Sequence, residues 1–338
     1  MTNDLAARPL TWGAFQPFRF ILAFEILIFH SNWRLAPQGY LAVEIFFVLA
    51  GFLAASRYDR PAKKPPSSAI ASTIWKIYPY YFAGVVLTLV VFPWPALPDL
   101  LLAVTMLQST GLNKFIVNGP MWFLSCYLLV SITALLLSIY IPRQWFLAGG
   151  AVAAFAGYAM ILNYSGSINF TWEVRFGFLS MGMMRAIAGF GLGAVVYAVY
   201  SAYPQLHRMP LVVATALECA CISIMFYYMV FAPVDASNYL AAFLVVSGFF
   251  ILLLSNQAGA VSKGLSLING QWKFLADFSV YLFVFHGPYL RIVDTLIPGE
   301  PQSALGHMLF WTIVAGASVA TGLAVNATLH ISSSHAKA

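Results

Sequence analysis

The chain has 338 residues, of which 61% are hydrophobic and only 8% charged, against roughly 25% charged in an ordinary soluble domain. Its 17 Lys and Arg with 11 Asp and Glu cannot coat a water-facing surface of that size, so a soluble fold is excluded. The formal charge of +6 would point to nucleic acid in a soluble protein. Here the basic residues sit in short loops between apolar runs, where membrane topology accounts for them, and no nucleic-acid partner is expected.

A helix needs about 20 residues to cross the hydrocarbon core. After a polar N-terminal segment (residues 1–15), the predicted spans are Pro17–Trp33, Tyr40–Ser56, Ala69–Phe92, Pro120–Tyr140 and Trp145–Leu162. They continue with Phe178–Tyr200, Pro210–Phe231, Tyr239–Ser255, Trp272–Val293 and Leu305–Leu329, and residues 331–338 form a tail. The first run lacks a small-residue cleavage site and is read as a retained span. Leu97–Gln108 is apolar but only about 12 residues long, too short to cross. Pro95, Pro98 and Gly111 bracket it as helix breakers.

Loop charge sets the sidedness. Arg57, Arg60, Lys63 and Lys64 follow the second span and mark a cytoplasmic loop. If Leu97–Gln108 does not cross, Arg143, Arg208, Lys263, Lys273 and Lys337 fall on that same side. Asp99, Glu173, Asp235, Asp294 and Glu300 fall opposite, with Lys114 and Arg175 as minor exceptions. The expectation is a single all-α domain over residues 1–338, a polytopic integral membrane helical bundle. It has about ten transmembrane helices and both termini in the cytoplasm. Cys126, Cys219 and Cys221 read as apolar filler, because residues two apart on a helix cannot face each other.

Ionisable groups inside spans are the informative signal, since each costs about 2.5–3.5 kcal/mol on insertion scales. The first span carries Arg19, Glu25 and His30. Eleven residues make three helical turns with about 20° left over, so Arg19 and His30 share a face, roughly 16 Å apart along the axis. A snorkelling arginine and an interfacial histidine would leave the same spacing. Glu44, just inside the second span, reaches the depth of His30, where a carboxylate would orient an imidazole base. Arg185 sits mid-span and is expected to face the interior; His286 lies near the depth of His30. The other histidines show no metal-ligand spacing, and no metal is expected.

These residues fall within longer segments. Arg19 and His30 are followed by Glu44-Ile45-Phe46-Phe47-Val48-Leu49-Ala50-Gly51-Phe52, then Lys76-Ile77-Tyr78-Pro79 and Asn118-Gly119-Pro120-Met121-Trp122-Phe123-Leu124-Ser125. Met184-Arg185-Ala186-Ile187-Ala188-Gly189-Phe190-Gly191-Leu192-Gly193 and Phe278-Ser279-Val280-Tyr281-Leu282-Phe283-Val284-Phe285-His286-Gly287-Pro288 complete the set. In that order, from residue 17 to about 290, they resemble the acyltransferase-3 family of membrane acyltransferases. The chain departs from the family's pattern at Thr73 and Lys76, which stand where two arginines are usual, and at Ala50 and Tyr127.

The resemblance implies transfer of an acyl group, most often acetyl, from cytoplasmic acyl-CoA (acetyl-CoA) to a hydroxyl of a glycan or lipid-linked sugar. The setting it implies is a cell membrane, such as the bacterial inner membrane. In that scheme His30 is the general base, Glu44 orients it, and Arg19 stabilises the oxyanion or a CoA phosphate. Lys76 and Arg57 meet the nucleotide phosphates, Arg185 is paired or phosphate-facing, and His286 either joins the acceptor site or is a satisfied packing histidine. Trp122 is either a stacking platform or an interfacial anchor. A secondary transporter or glycan flippase would also hold Arg, His and Glu within spans, and an inactive relative would keep the fold without needing His30.

Overall fold

The computed structural model describes residues 13–59, 65–112, 117–169, 175–176, 179–232, 237–272, 274–299, 301 and 303–335. Residues 1–12, Arg60, Lys63, Lys64, Lys114, Glu173, Asp235, Lys273, Glu300 and Lys337 lie outside the described residues. Described are the helices α1 (Phe15–Ser31), α2 (Ala42–Ala55), α3 (Pro66–Val91), α4 (Leu97–Val104), α5 (Trp122–Tyr140) and α6 (Arg143–Ser165). They continue with α7 (Met181–Ala202), α8 (Leu211–Val230), α9 (Ser237–Asn256), α10 (Ala260–Gln271), α11 (Leu275–Leu296) and α12 (Ala304–His335). One antiparallel pair, Arg175–Phe176 with Leu179–Ser180, precedes α7.

Proline and glycine punctuate the chain as their backbones require. Pro66 opens α3, and Pro142 and Pro210 stand directly before α6 and α8, positions where a missing N–H costs nothing. Gly166 closes α6 in the left-handed region, at φ 66°, where a Cβ would be strained. Among the described residues, eight helices are long and apolar enough to cross a membrane: α2, α3, α5, α6, α7, α8, α9 and α12. The chain is a polytopic all-α membrane protein. The remaining long helices, α1 and α11, carry Arg19 and Glu25, and Asp277, Arg291 and Asp294, respectively, and they pack against each other.

Contacts between distant residues assign the helix ends. The end of α1, the end of α3, the start of α5 and the last turns of α11 surround one cavity. At the opposite end the Tyr58 hydroxyl donates to the Ile141 carbonyl at 2.7 Å, and Arg143 Nη2 donates to Ser201 at 2.6 Å. Because α3 ends where α5 begins, the segment between them does not cross. Leu97–Gln108 therefore behaves as its length predicted: only α4 is helical, and the chain from Met106 to Thr110 turns back, buried in protein. Met106 and Ser109 adopt φ of 59° and 62°. Irregular backbone at membrane depth must be satisfied by protein. The Val117 N–H donates to Gln108 Oε1 at 3.0 Å, Gln108 Nε2 to the Tyr81 hydroxyl at 2.8 Å, and that hydroxyl to the Ala103 carbonyl at 2.8 Å.

The centre of the bundle is α2, in which every residue except Leu53 is buried. Helices in lipid gain little from hydrophobic burial against one another, so close van der Waals contact through small residues holds them. A Cβ on Gly193 would lie 2.1 Å from the Val48 carbonyl oxygen, and one on Gly51 would lie 2.1 Å from that of Phe190. On the other face of α7, Gly191 meets the Gly150 carbonyl at 2.3 Å in the same sense. Helices α2, α6 and α7 are thus in backbone contact.

The sequence reading assigned no element to residues 260–271, which form α10. This helix is too short and too polar to register as a span; it packs on α1 and α8, and α8 caps its start. Ala260 N donates to Thr215 Oγ1 at 2.9 Å, and Val261 N to Glu218 Oε2 at 2.9 Å. Glu218, an embedded carboxylate without an evident purpose in the sequence, serves the exposed N–H groups and the positive end of a helix.

Replacing Gly193 with Val should abolish a monodisperse, detergent-solubilised species or lower its melting temperature sharply, because the obstructing atoms are backbone. Gly149→Val, where a Cβ meets nothing within 4 Å, should leave both unchanged. Size-exclusion chromatography and thermal scanning read the difference.

Candidate active site

Arg185 and Glu44 meet in the interior. Arg185 Nε donates to Glu44 Oε1 at 2.6 Å, with side-chain exposures of 1% and 0%. The second carboxylate oxygen accepts from the Tyr158 hydroxyl at 2.7 Å, and Arg185 Nη2 reaches the Tyr40 carbonyl at 3.4 Å. The guanidinium carbon lies 5.0 Å from the Trp122 ring centroid, a cation–π contact in a desolvated place. Gly182 admits the indole, since a Cβ there would be 2.7 Å from it.

Two expectations change here. Both Glu44 oxygens are taken by Arg185 and Tyr158, so the carboxylate that shares the depth of His30 points elsewhere. A single unpaired acid would have sought the histidine; a buried arginine with a fixed fork is the stronger partner. Trp122, 6% exposed, lies under Arg185 and is neither an open stacking platform nor an interfacial anchor. Arg185 faces the interior as its mid-span position predicted, and its partner there is the carboxylate.

His30 lies at the end of α1, accessible from a cavity of about 780 Å³. Its ring centroid is 5.4 Å from that of His286, with 33° between the planes. His286 is fully buried, and its Nδ1 is 2.8 Å from the Leu282 carbonyl oxygen. A carbonyl only accepts, so Nδ1 carries the proton and Nε2 presents a lone pair. That Nε2 is without a hydrogen-bond partner among the described residues. The two histidines predicted at one depth are therefore neighbours.

The residues after His286 explain how the site is tied together. Pro288 has no N–H to give the Val284 carbonyl four residues back. Asn118 Nδ2 stands near that oxygen at 3.4 Å and also donates to Thr88 Oγ1 at 3.2 Å. Gly287 leaves room for this, since a Cβ would sit 2.7 Å from Asn118 Oδ1. Two segments distant in the chain, Asn118-Gly119-Pro120 and His286-Gly287-Pro288, meet here. A proline inside a span requires a substitute donor, and that signal identifies Asn118 as a residue the sequence reading quoted without assigning a role.

The remaining expected residues lie apart from this cavity. Arg19, half-buried, is bonded to Gln16 at 3.3 Å and within electrostatic reach of Tyr127 and of Asp277 on α11. His30 and Arg19 both face α11, as one stripe of α1 should. Lys76 is exposed on α3, and Arg57 is half-buried in the turn after α2.

The model of a family described as an acyltransferase domain, acyltransferase-3, matches residues 11–327. The chain belongs to the acyltransferase-3 family. It is a membrane acyltransferase, and the match covers every helix described except the last turns of α12. Comparison with curated proteins and with solved structures matches none of them. Family membership favours the enzyme over the flippase or transporter.

Removing one partner of the buried ion pair should cost about 3–5 kcal/mol, because the other charge is left uncompensated. Glu44→Gln and Arg185→Met should each destabilise strongly. The double variant should lose clearly less than their sum when unfolding is followed in detergent; strict additivity would deny the pairing.

Proposed function

We propose that the protein transfers an acyl group, most often acetyl, from cytoplasmic acyl-CoA to a hydroxyl of a glycan or lipid-linked sugar at the opposite face of a cell membrane, such as the bacterial inner membrane. The observation that carries this reading is His30, accessible in a cavity at the end of the bundle remote from Arg57. A charged thioester donor does not cross a bilayer, so in this reading the bundle itself brings the acyl end to a base near the far side.

His30 acts as general base. It takes the proton of the acceptor hydroxyl as that oxygen attacks the thioester carbonyl; the carbon–sulfur bond breaks and the CoA thiolate leaves to be protonated in turn. The separation of roughly 16 Å between Arg19 and His30 favours one of the two roles the resemblance allows Arg19. One guanidinium cannot touch an oxyanion formed beside His30 from that distance, so Arg19 serves the donor's phosphate-bearing part. Lys76 and Arg57 extend the same cationic approach. Glu44 contributes at one remove: it holds Arg185, Arg185 holds Trp122, and Trp122 follows the Asn118–Met121 turn that walls the cavity. His286 stands behind His30 as an acceptor of its proton.

The test is transfer of label from acetyl-CoA to membrane glycan in vesicles containing the full chain. His30→Ala should reduce transfer by about 10²–10⁴-fold, the usual worth of a general base, whereas Arg19→Ala should mainly raise the KM for acetyl-CoA. Unchanged transfer in the His30 variant would sink the mechanism, and failure of acyl-CoA to bind the purified protein would sink the function.

A further inference from the structure

Helix α10 turns the wrong side outward for a helix that meets water. Ser262 is buried and Ser266 and Asn269 are half-buried, so its hydroxyls face the bundle. Lys263, Leu267, Gly270 and Gln271, spaced at i, i+4, i+7 and i+8, form the exposed face. Leu267 is 71% exposed, Ile268 beside it 42%, and Trp272, directly after the helix, 53%. Water would select the reverse arrangement, with polar groups outward. The helix also lies across the bundle rather than along it. Thr215 and Glu218 on α8 hold its start. Ser266 lies against Gly13 at the head of α1, where a Cβ would sit 3.0 Å from the serine hydroxyl, and the chain then enters α11. Its 12 residues extend about 18 Å, so α10 bridges three long helices at the end of the bundle that carries Arg57.

We propose that α10 is an interfacial helix that docks on the anionic lipid surface of the leaflet at this end. Leu267 and Ile268 enter the boundary between acyl tails and headgroups, and Lys263 lies among the lipid phosphates. The inference does not depend on the acyl-transfer reading. Three observations select lipid as the occupant. First, the apolar surface continues onto the neighbouring helices. Leu211 and Val212 at the start of α8 are 50% and 79% exposed, and Trp272 stacks on the exposed Phe274 with ring centroids 5.9 Å apart. Aromatic rings at a helix end favour the headgroup level. Second, the charge is complementary. Lys263 on the helix and Arg208 just before α8 are exposed cations, and basic side chains beside a leaflet attract anionic headgroups. Third, the polar needs of α10 are met inside the protein. Glu218 accepts from the Val261 N–H at 2.9 Å and stands near the Ser262 N–H at 3.4 Å, leaving chiefly apolar surface and an ammonium outward. A stable protein interface takes about 20–30 residues a side, more than this short face supplies.

The experiment attaches a nitroxide to the full chain through Leu267→Cys and, separately, Ile268→Cys. Cys219 is exposed and is replaced by Ser, whereas Cys126 and Cys221 are buried. The labelled protein is placed in nanodiscs of phosphatidylcholine with or without phosphatidylglycerol. Oxygen, which concentrates in lipid, and a nickel chelate, which stays in water, then compete to relax the label. At both positions oxygen should relax it more than the chelate does, at a depth about 5–10 Å below the phosphates. Omitting phosphatidylglycerol should make the label shallower, and Lys263→Gln should abolish that difference. Faster relaxation by the chelate would reveal a water-facing helix, and protection from both reagents a protein-covered one. Either result at either position overturns the proposal. A depth indifferent to phosphatidylglycerol would overturn the anionic partner and the part given to Lys263.

Discussion

Glu44 and Arg185, buried against each other where α2 and α7 cross, set the arrangement of everything around them. Either charge alone would cost several kcal/mol at membrane depth, and together they are compensated only while both helices keep their register. Tyr158 brings α6 to the same carboxylate, and Trp122 brings the start of α5 to the same guanidinium. One ion pair thus locates four helices. The glycine contacts along α7 are what allow it, because the arginine and the carboxylate can meet at 2.6 Å only if the backbones have already come together.

That frame leaves the two neighbouring histidines on a different seam. His30 and His286 lie between α1 and α11, the two long helices too short or too charged to register as spans by hydropathy. The division is physical: charges that brace the fold are paired and dry, while the accessible imidazole lies at the edge of a cavity, where a substrate can reach it. Asn118 joins the two regions. It fills the hydrogen-bonding gap left by Pro288, and the chain it belongs to leads within four residues to Trp122.

Much of this was legible in the sequence, and the parts that were not share a cause. Long apolar runs and loop charge located the spans and identified the short α4 segment, because bilayer thickness imposes length directly. The common face of Arg19 and His30 followed from helical geometry within one element. Pairings between elements were out of reach: depth placed Glu44 beside His30, but depth says nothing about direction around the bundle, and the true partner was Arg185, 141 residues away. Helix α10 and the purpose of Glu218 escaped together, since neither a 12-residue polar helix nor an isolated embedded acid declares itself without the other. His286 was placed at the right level by counting residues, and its contact with His30 came from the packing of α1 on α11.

The backbone contacts among α2, α6 and α7 have a mechanical consequence. Where carbonyl oxygens abut Cα atoms there are no side chains between the helices to change rotamer, so the three cannot slide or part by small steps. They form a stiff block. Any movement between helices must be taken up elsewhere, as along the seam of α1 and α11, where rings that can turn aside meet. The imidazole pair lies outside that block, on the seam between α1 and α11.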